Sequence, residues 1–249
     1  MNGKFLEKFI AYREVNRLAF TRLHISQKIR YQFSVVNRKD LVKELFLKIE
    51  SAETINSVLL FEARAAKIYW NFFGELLNEK VTWNGRRPHS KDPVNQLLDI
   101  GYHFIVTKLT KICDDISLPT GLGIFHKAQS NRAKPLIYDF MEWLRPILVD
   151  RTLVMYIRKK KKFIEDINDK EISKFVYRLK LVLEKRLYNK KLGYCITLEY
   201  WIRLNLLEFM STVNNNRKYE PRFPSLRHET RCKKPLQKIE AVWKSSIEP

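Results

Sequence analysis

Residues that interrupt helices are scarce in this chain. Proline does not occur before Pro88, nor between Pro146 and Pro221, and glycine totals 7 in 249 residues. Long stretches of good helix formers are left uninterrupted. No convincing alternating strand lies between turn signals. Cysteine is equally sparse. Cys113, Cys195 and Cys232 are odd in number, far apart and in no C-x-x-C pair, so they are expected as reduced thiols rather than as a disulfide or zinc framework. Apolar runs are short. None approaches the roughly 18 residues of a membrane span, and the opening MNGKFLEKF lacks the apolar core of a signal peptide. A cytoplasmic protein without membrane contact is expected.

Acidic residues are also in deficit. Lys and Arg number 47 against 27 Asp and Glu, giving a formal net charge of +20. Such an excess predicts attraction to a polyanion, nucleic acid before a membrane surface, because no strongly apolar amphipathic anchor stands out. With 45% hydrophobic and 30% charged residues the chain is expected to fold, and its length suffices for a sizeable core.

The fold class read from this is all-α. One or two helices are expected within Lys4–Val36, one from an Asp40 cap to about Ser51, and a long one over Glu53–Leu77. Lys80–Lys91 reads as a basic loop. Asp92-Pro93 is a strong helix start, with Asp as N-cap and Pro at the first helical position, and that helix should reach about Ile116. Ser117–Ala133, with Gly121 and Gly123, reads as irregular. Pro135 opens a short helix to about Leu144, and Pro146 breaks or kinks the chain. Further helices are expected over Ile147–Asn168, Lys170–Tyr188 and Thr197–Val213. The organisation expected is an N-terminal helical region (1–50), a main helical domain (51–220) and a basic, flexible tail (221–249).

Two acidic features sit oddly in this pattern. Val58, Glu62, Ala65, Ala66 and Tyr69 share one helix face by three- and four-residue spacing, so Glu62 interrupts a largely apolar stripe. A carboxylate there must be paired, hydrogen-bonded or metal-bound. The plainer reading is a core-edge Glu paired with an Arg. Asp139 and Glu142, three apart after Pro135, project from one side of a short helix, opposite Leu136, Phe140 and Leu144. Such a pair repels unless a cation lies near it; a solvated acidic face is the plainer alternative. His126, after GLGIF, is a lone histidine that matters only in combination. Glu62, His126 and Glu142 together offer two carboxylates and an imidazole, a donor set suited to Mn²⁺ or Mg²⁺ and acceptable to zinc.

At these residues the chain resembles a known family. The blocks are LLFEARAAKIYW (Leu59–Trp70), DPVNQLLDIGY (Asp92–Tyr102), GLGIFH (Gly121–His126) and LIYDFMEWLRPILVDR (Leu136–Arg151). In this order and at these separations they are similar to the helical catalytic domain of CRISPR-associated protein one, the spacer-acquisition integrase. Looser similarity runs from about Leu18 to Phe223. The resemblance implies a Mg²⁺ or Mn²⁺ ion held by Glu62, His126 and Glu142, with Asp139 as a supporting or alternative ligand and Arg145 and Asp150 around them. It implies an endonuclease and integrase that joins short duplex DNA to a CRISPR repeat by attack of a 3′-hydroxyl on a phosphodiester. A transposon-encoded integrase of the same superfamily and a non-catalytic DNA-binding relative are the alternatives. The family usually begins with a β-rich domain that makes much of its dimer. Here residues 1–49 already read as helix, which leaves open the use of the small partner, CRISPR-associated protein two.

Arg86, Arg87, His89 and Lys91 in the basic loop, and the run Arg158, Lys159, Lys160, Lys161 and Lys162, are the expected contacts to the phosphates of double-stranded DNA, with a solvated helix face as the plainer reading of each. Two-ended integration needs two active sites, so a homodimer or homotetramer is expected. Its contact is expected from Phe5, Phe9, Ile10, Leu18 and Phe20 unless these are core.

Overall fold

The computed structural model describes residues 3–77, 80–128, 130, 133–160, 162–189 and 192–224. Eight α-helices appear among them: α1 (Gly3–Val35), α2 (Val42–Glu50), α3 (Ile55–Glu75), α4 (Pro93–Asp115), α5 (Pro135–Met141), α6 (Arg151–Arg158), α7 (Asp169–Glu184) and α8 (Leu198–Asn215). The described chain is thus mostly α, as the scarcity of breakers requires.

Side-chain caps set the main starts. Thr54, Asp92, Asn168 and Thr197 each accept a hydrogen bond from the backbone N–H three residues on, at the heads of α3, α4, α7 and α8. Asp92 with Pro93 behaves as its sequence demands. Asp40 does not cap α2. It lies in a 3₁₀ turn (Lys39–Leu41) and is held by Arg38, while Leu41 precedes α2 without a side-chain cap.

Pro146 interrupts the α ladder as expected: α5 stops at Met141, and Arg145–Asp150 is a π-helical turn that leads directly into α6. Two expectations are corrected. The helix expected to reach Asn168 ends at Arg158, and Ile164 instead forms a parallel bridge with Val81, tying two loops together. The helix expected to reach Tyr188 ends at Glu184, and Arg186–Asn189 (β1) pairs antiparallel with Tyr194–Thr197 (β2). The alternation there covers only four residues, and a strongly helical run precedes it. Gly193, at φ +70, serves the turn.

The cysteine reading is corrected at Cys195, which is disulfide-bonded, its partner lying outside the described residues. Sequence separation says nothing of proximity in space. Cys113 is free and buried, its thiol pushed up to about 12 by that burial. Cys232 and most of the tail 221–249 also lie outside the described residues.

α1 packs against α3, α2, α8 and the π turn, and α4 joins them through the π turn and α8. Phe5, Phe9 and Phe20 of α1 are buried in that core, and Phe9 and Phe20 meet Phe209 edge-on. Leu18 also packs against it, and only Ile10 remains exposed. Of the apolar residues expected to form a dimer contact, all but Ile10 are therefore core or packed against it. Gly101 lets α4 approach the π turn: a Cβ there would stand 2.4 Å from Val149 Cγ1. Among the described residues no helix is long and apolar enough to cross a membrane.

Candidate metal centre

Four elements bring the acidic residues together. α3 carries Glu62, the segment before α5 carries His126, the C-terminal end of α5 carries Asp139 and Glu142, and α1 carries a residue the sequence pattern did not single out, Lys28. Its ammonium Nζ lies 2.6 Å from Glu62 Oε1 and 2.6 Å from Glu142 Oε2. The two carboxylates therefore face each other across one nitrogen. Glu62 is the partnered core-edge glutamate that the interrupted stripe required, but its partner is this shared lysine and not an arginine.

Asp139 is fully buried, and its oxygens are taken up by the segment before α5. It accepts from three successive backbone amides, Ile124, Phe125 (3.4 Å) and His126 (2.9 Å), and Oδ1 also receives His126 Nδ1 at 2.8 Å. A run of amides aimed at one carboxylate is an anion nest. Burial pushes the Asp139 carboxyl up, against the pull of the His126 hydrogen bonds. The nest needs Gly123. A Cβ there would meet His126 O at 2.5 Å, Pro135 Cβ at 2.8 Å and Asp139 Oδ2 at 3.1 Å.

The consequence falls on His126. A carboxylate only accepts, so Nδ1 carries a proton, and in the neutral imidazole the lone pair is then on Nε2. Nε2 faces Glu142 Oε1 at 3.8 Å. This carboxylate–imidazole arrangement is the one that orients a histidine for metal ligation. Asp139 therefore touches the centre through His126.

Glu142 is held on its other side. Arg145 Nη1 lies 3.0 Å from Glu142 Oε1, with the guanidinium over the Tyr102 ring, 5.0 Å from its centroid. Burial raises the Glu142 carboxyl, but Arg145 and Lys28 outweigh it and hold the group at about 2. Beyond Tyr102 lies Asp150, which accepts from the hydroxyls of Tyr102 and Tyr69 at 2.8 Å each. Burial pushes Asp150 up to about 6, against those two hydrogen bonds. Tyr69 stands seven residues after Glu62 on the same face of α3, so Asp150 fixes the helix that presents Glu62.

Two carboxylates and an imidazole nitrogen form an oxygen-and-nitrogen donor set that fits Mg²⁺ or Mn²⁺, and the Lys28 ammonium stands between the carboxylates as a cation. As placed, no three His, Cys, Asp or Glu side chains among the described residues are gathered into a ready ligand set. Lys28 was legible only as part of a stripe: Thr21, His24, Lys28 and Gln32 follow one face of α1 and are all buried.

The model of the family "CRISPR associated protein Cas1" matches residues 6–187. The chain belongs to the Cas1 family. It is 31% identical over 176 residues to a CRISPR-associated endonuclease Cas1 of Thermus thermophilus, covering 66% of this chain and 51% of that protein. A second Cas1 endonuclease, from Saccharolobus solfataricus, is 29% identical over 167 residues, covering 66% and 46%. The chain thus spans about half the length of the curated relatives it matches. In fold it resembles a casposase bound to integration product, with a TM-score of 0.77 at 18% identity over 99% of this chain and 74% of the other. It also resembles a Cas1 protein from Thermotoga maritima, with a TM-score of 0.70 at 20% identity over 87% and 70%.

The basic residues of this Cas1 chain divide into tied and exposed. Arg86 is tied: its guanidinium reaches Asn95 Oδ1 at 2.9 Å and Asp99 Oδ1 at 2.5 Å, clipping the loop onto α4. The backbone N–H groups of Arg87 and His89 donate to Asn95 and Asp99, and His89 adopts φ +64. The side chains of Arg87, His89 and Lys91 are exposed. In the second cluster Lys160 is paired with Glu171, whereas Arg158, Lys159 and Lys162 are exposed. Lys161 lies outside the described residues.

Proposed function

We propose that this chain is a metal-dependent DNA endonuclease and integrase acting in CRISPR adaptation, joining short duplex DNA by attack of a 3′-hydroxyl on a phosphodiester. The observation that carries the reading is His126: its Nδ1 is committed to Asp139, and its Nε2 is left facing Glu142, across Lys28 from Glu62. Glu62, His126 Nε2 and Glu142 would hold Mg²⁺ or Mn²⁺, which when bound polarises the phosphodiester and lowers the pKa of the attacking hydroxyl. Asp139 keeps the imidazole in the tautomer that offers Nε2. Arg145 holds one oxygen of Glu142, which limits its rotation. Asp150, through Tyr69 and Tyr102, keeps α3 and Arg145 in register. Exposed Arg87, Lys91, Arg158, Lys159 and Lys162 draw the duplex in by its phosphates without reading its sequence.

The reaction needs no protein nucleophile, because the attacking oxygen belongs to the DNA. Two-ended joining needs two copies of this centre, so the active species is a homodimer or homotetramer, with a Cas2 protein as a further candidate partner. The fold likeness to a casposase supports a second substrate for the same chemistry, transposon ends in place of a CRISPR repeat. The test is a joining assay with labelled short duplex DNA, a repeat-bearing plasmid and Mn²⁺ or Mg²⁺, with terminal inverted repeats as the second arm. Glu62→Ala, His126→Ala and Glu142→Ala are each expected to abolish joining in a folded protein. Near-normal joining by any one of them removes that residue from the centre.

A further inference from the structure

Lys28 is out of place by ordinary rules. A lysine side chain only 10% exposed is rare, and this one stands where its charge opposes any second cation. The charges around it are almost balanced. Glu62 and Glu142 contribute two negative charges facing Lys28, and Lys28 and Arg145 contribute two positive ones. Asp139 adds a third negative charge, but its oxygens are turned to the amide nest and to His126. A divalent ion placed beside an ammonium that already bridges both carboxylates would be repelled at close range in a poorly solvated site. If the ammonium withdraws, the same two carboxylates neutralise the ion.

Resting on the metal-centre reading above, we propose that the Lys28 ammonium occupies the cation position between Glu62 and Glu142 and competes with the divalent ion for it. Lys28 then has two linked effects. It holds the two carboxylates together when no metal is bound, and it weakens metal affinity by the fraction of time it occupies the position. A buried pair of like charges is costly without a cation between them. The lysine thus keeps the centre assembled at metal concentrations too low to fill it.

The test uses the full chain and needs no DNA. Mn²⁺ affinity is measured by calorimetric titration of the wild type, Lys28→Met and Glu142→Gln, with melting temperatures recorded with and without Mn²⁺. Lys28→Met is expected to bind Mn²⁺ on the order of tenfold more tightly than the wild type. It should melt lower without metal and regain that loss when Mn²⁺ is added. Equal or weaker binding by Lys28→Met overturns the proposal, as does a loss of stability that Mn²⁺ leaves unrepaired. Should that variant fail to fold, the wild type still decides. Its ¹⁵N-labelled Lys28 ammonium resonance, assigned by its loss in Lys28→Arg, must move when Mg²⁺ is added, and a resonance unmoved at saturating Mg²⁺ overturns the proposal. Glu142→Gln separates the two ideas. If it binds Mn²⁺ as well as the wild type does, the metal-centre reading has failed; if it loses binding while Lys28→Met gains none, only the role of Lys28 has failed.

Discussion

His24 shows what burial does to a single group in this molecule. It stands one turn before Lys28 on α1 and is completely buried. Phe20 stacks on it with ring centroids 4.1 Å apart, and Phe140 and Phe223 meet it edge-on. Neither ring nitrogen makes a hydrogen bond of good geometry, the backbone of Asp139 being the polar group that approaches the ring. Burial drives its pKa down to about 3, against weaker opposing influences from Asp139 and Glu142. Below its ordinary value of 6.5 the unfolded chain takes up a proton that the folded chain refuses, so this contribution to stability is lost as pH falls from 6.5 toward 3. The loss should be about 1.4 kcal/mol per pH unit. His24→Phe keeps the aromatic stack and removes the titration. Its unfolding free energy, measured by denaturant titration between pH 6.5 and 4, should fall less steeply than the wild type's by that slope. Parallel curves for the two proteins would show that His24 does not titrate in this window.

At the scale of elements, the segment between α4 and α5 is an instrument for aiming His126. Its described residues have no regular structure, yet three of its amides converge on Asp139, and Gly123 is the residue that lets them do so. Gly123→Ala would force a Cβ to within 2.5 Å of His126 O, at a cost of about 1–3 kcal/mol for relieving the overlap. Because the imidazole shifts with the nest, joining activity should fall by roughly 10- to 100-fold, the usual cost of disturbing the partner of a metal-binding histidine. Gly121→Ala is the matched control: a Cβ there meets nothing within 4 Å, and activity and melting temperature should stay at wild-type values. Equal damage from both substitutions would mean that the segment needs flexibility and not the nest. The glycines of GLGIFH were visible in the sequence, but the reason for one and not the other was not. Both are loop glycines by composition, and only packing against Pro135 and Asp139 tells them apart.

At the scale of the whole molecule the dominant quantity is the net charge of +20. Affinity for duplex DNA should fall by roughly a thousandfold between 50 and 200 mM salt if six or more phosphates are contacted. Fluorescence anisotropy with a labelled duplex would measure it, and an affinity indifferent to salt would remove the basic surface from DNA binding. The described structure sharpens where the effect should arise. Arg158, Lys159 and Lys162 are exposed, so reversing their charges should flatten the salt slope without lowering the melting temperature. Arg86 is bonded to Asn95 and Asp99, so Arg86→Ala should lower the melting temperature before it changes the slope.

The sequence by itself determined the helical class and the Asp92-Pro93 start of α4, and it singled out Glu62, His126 and Glu142 as candidates. Helix starts, helix breakers and the three- and four-residue spacing of side chains are local properties, and the family blocks are read in linear order. Only the tertiary structure decided how those residues meet. The π turn at Arg145–Asp150, the short hairpin after α7 and the burial of Phe5, Phe9 and Phe20 depend on what packs against each segment. Lys28 depends on it most. The spacing of α1 places it on a polar stripe with Thr21, His24 and Gln32, but says nothing of what it faces until α3 and α5 close over it and place two carboxylates 2.6 Å from its nitrogen. A charge acquires its function from the charges folding brings beside it, and those come from α3 and α5, distant from Lys28 in sequence.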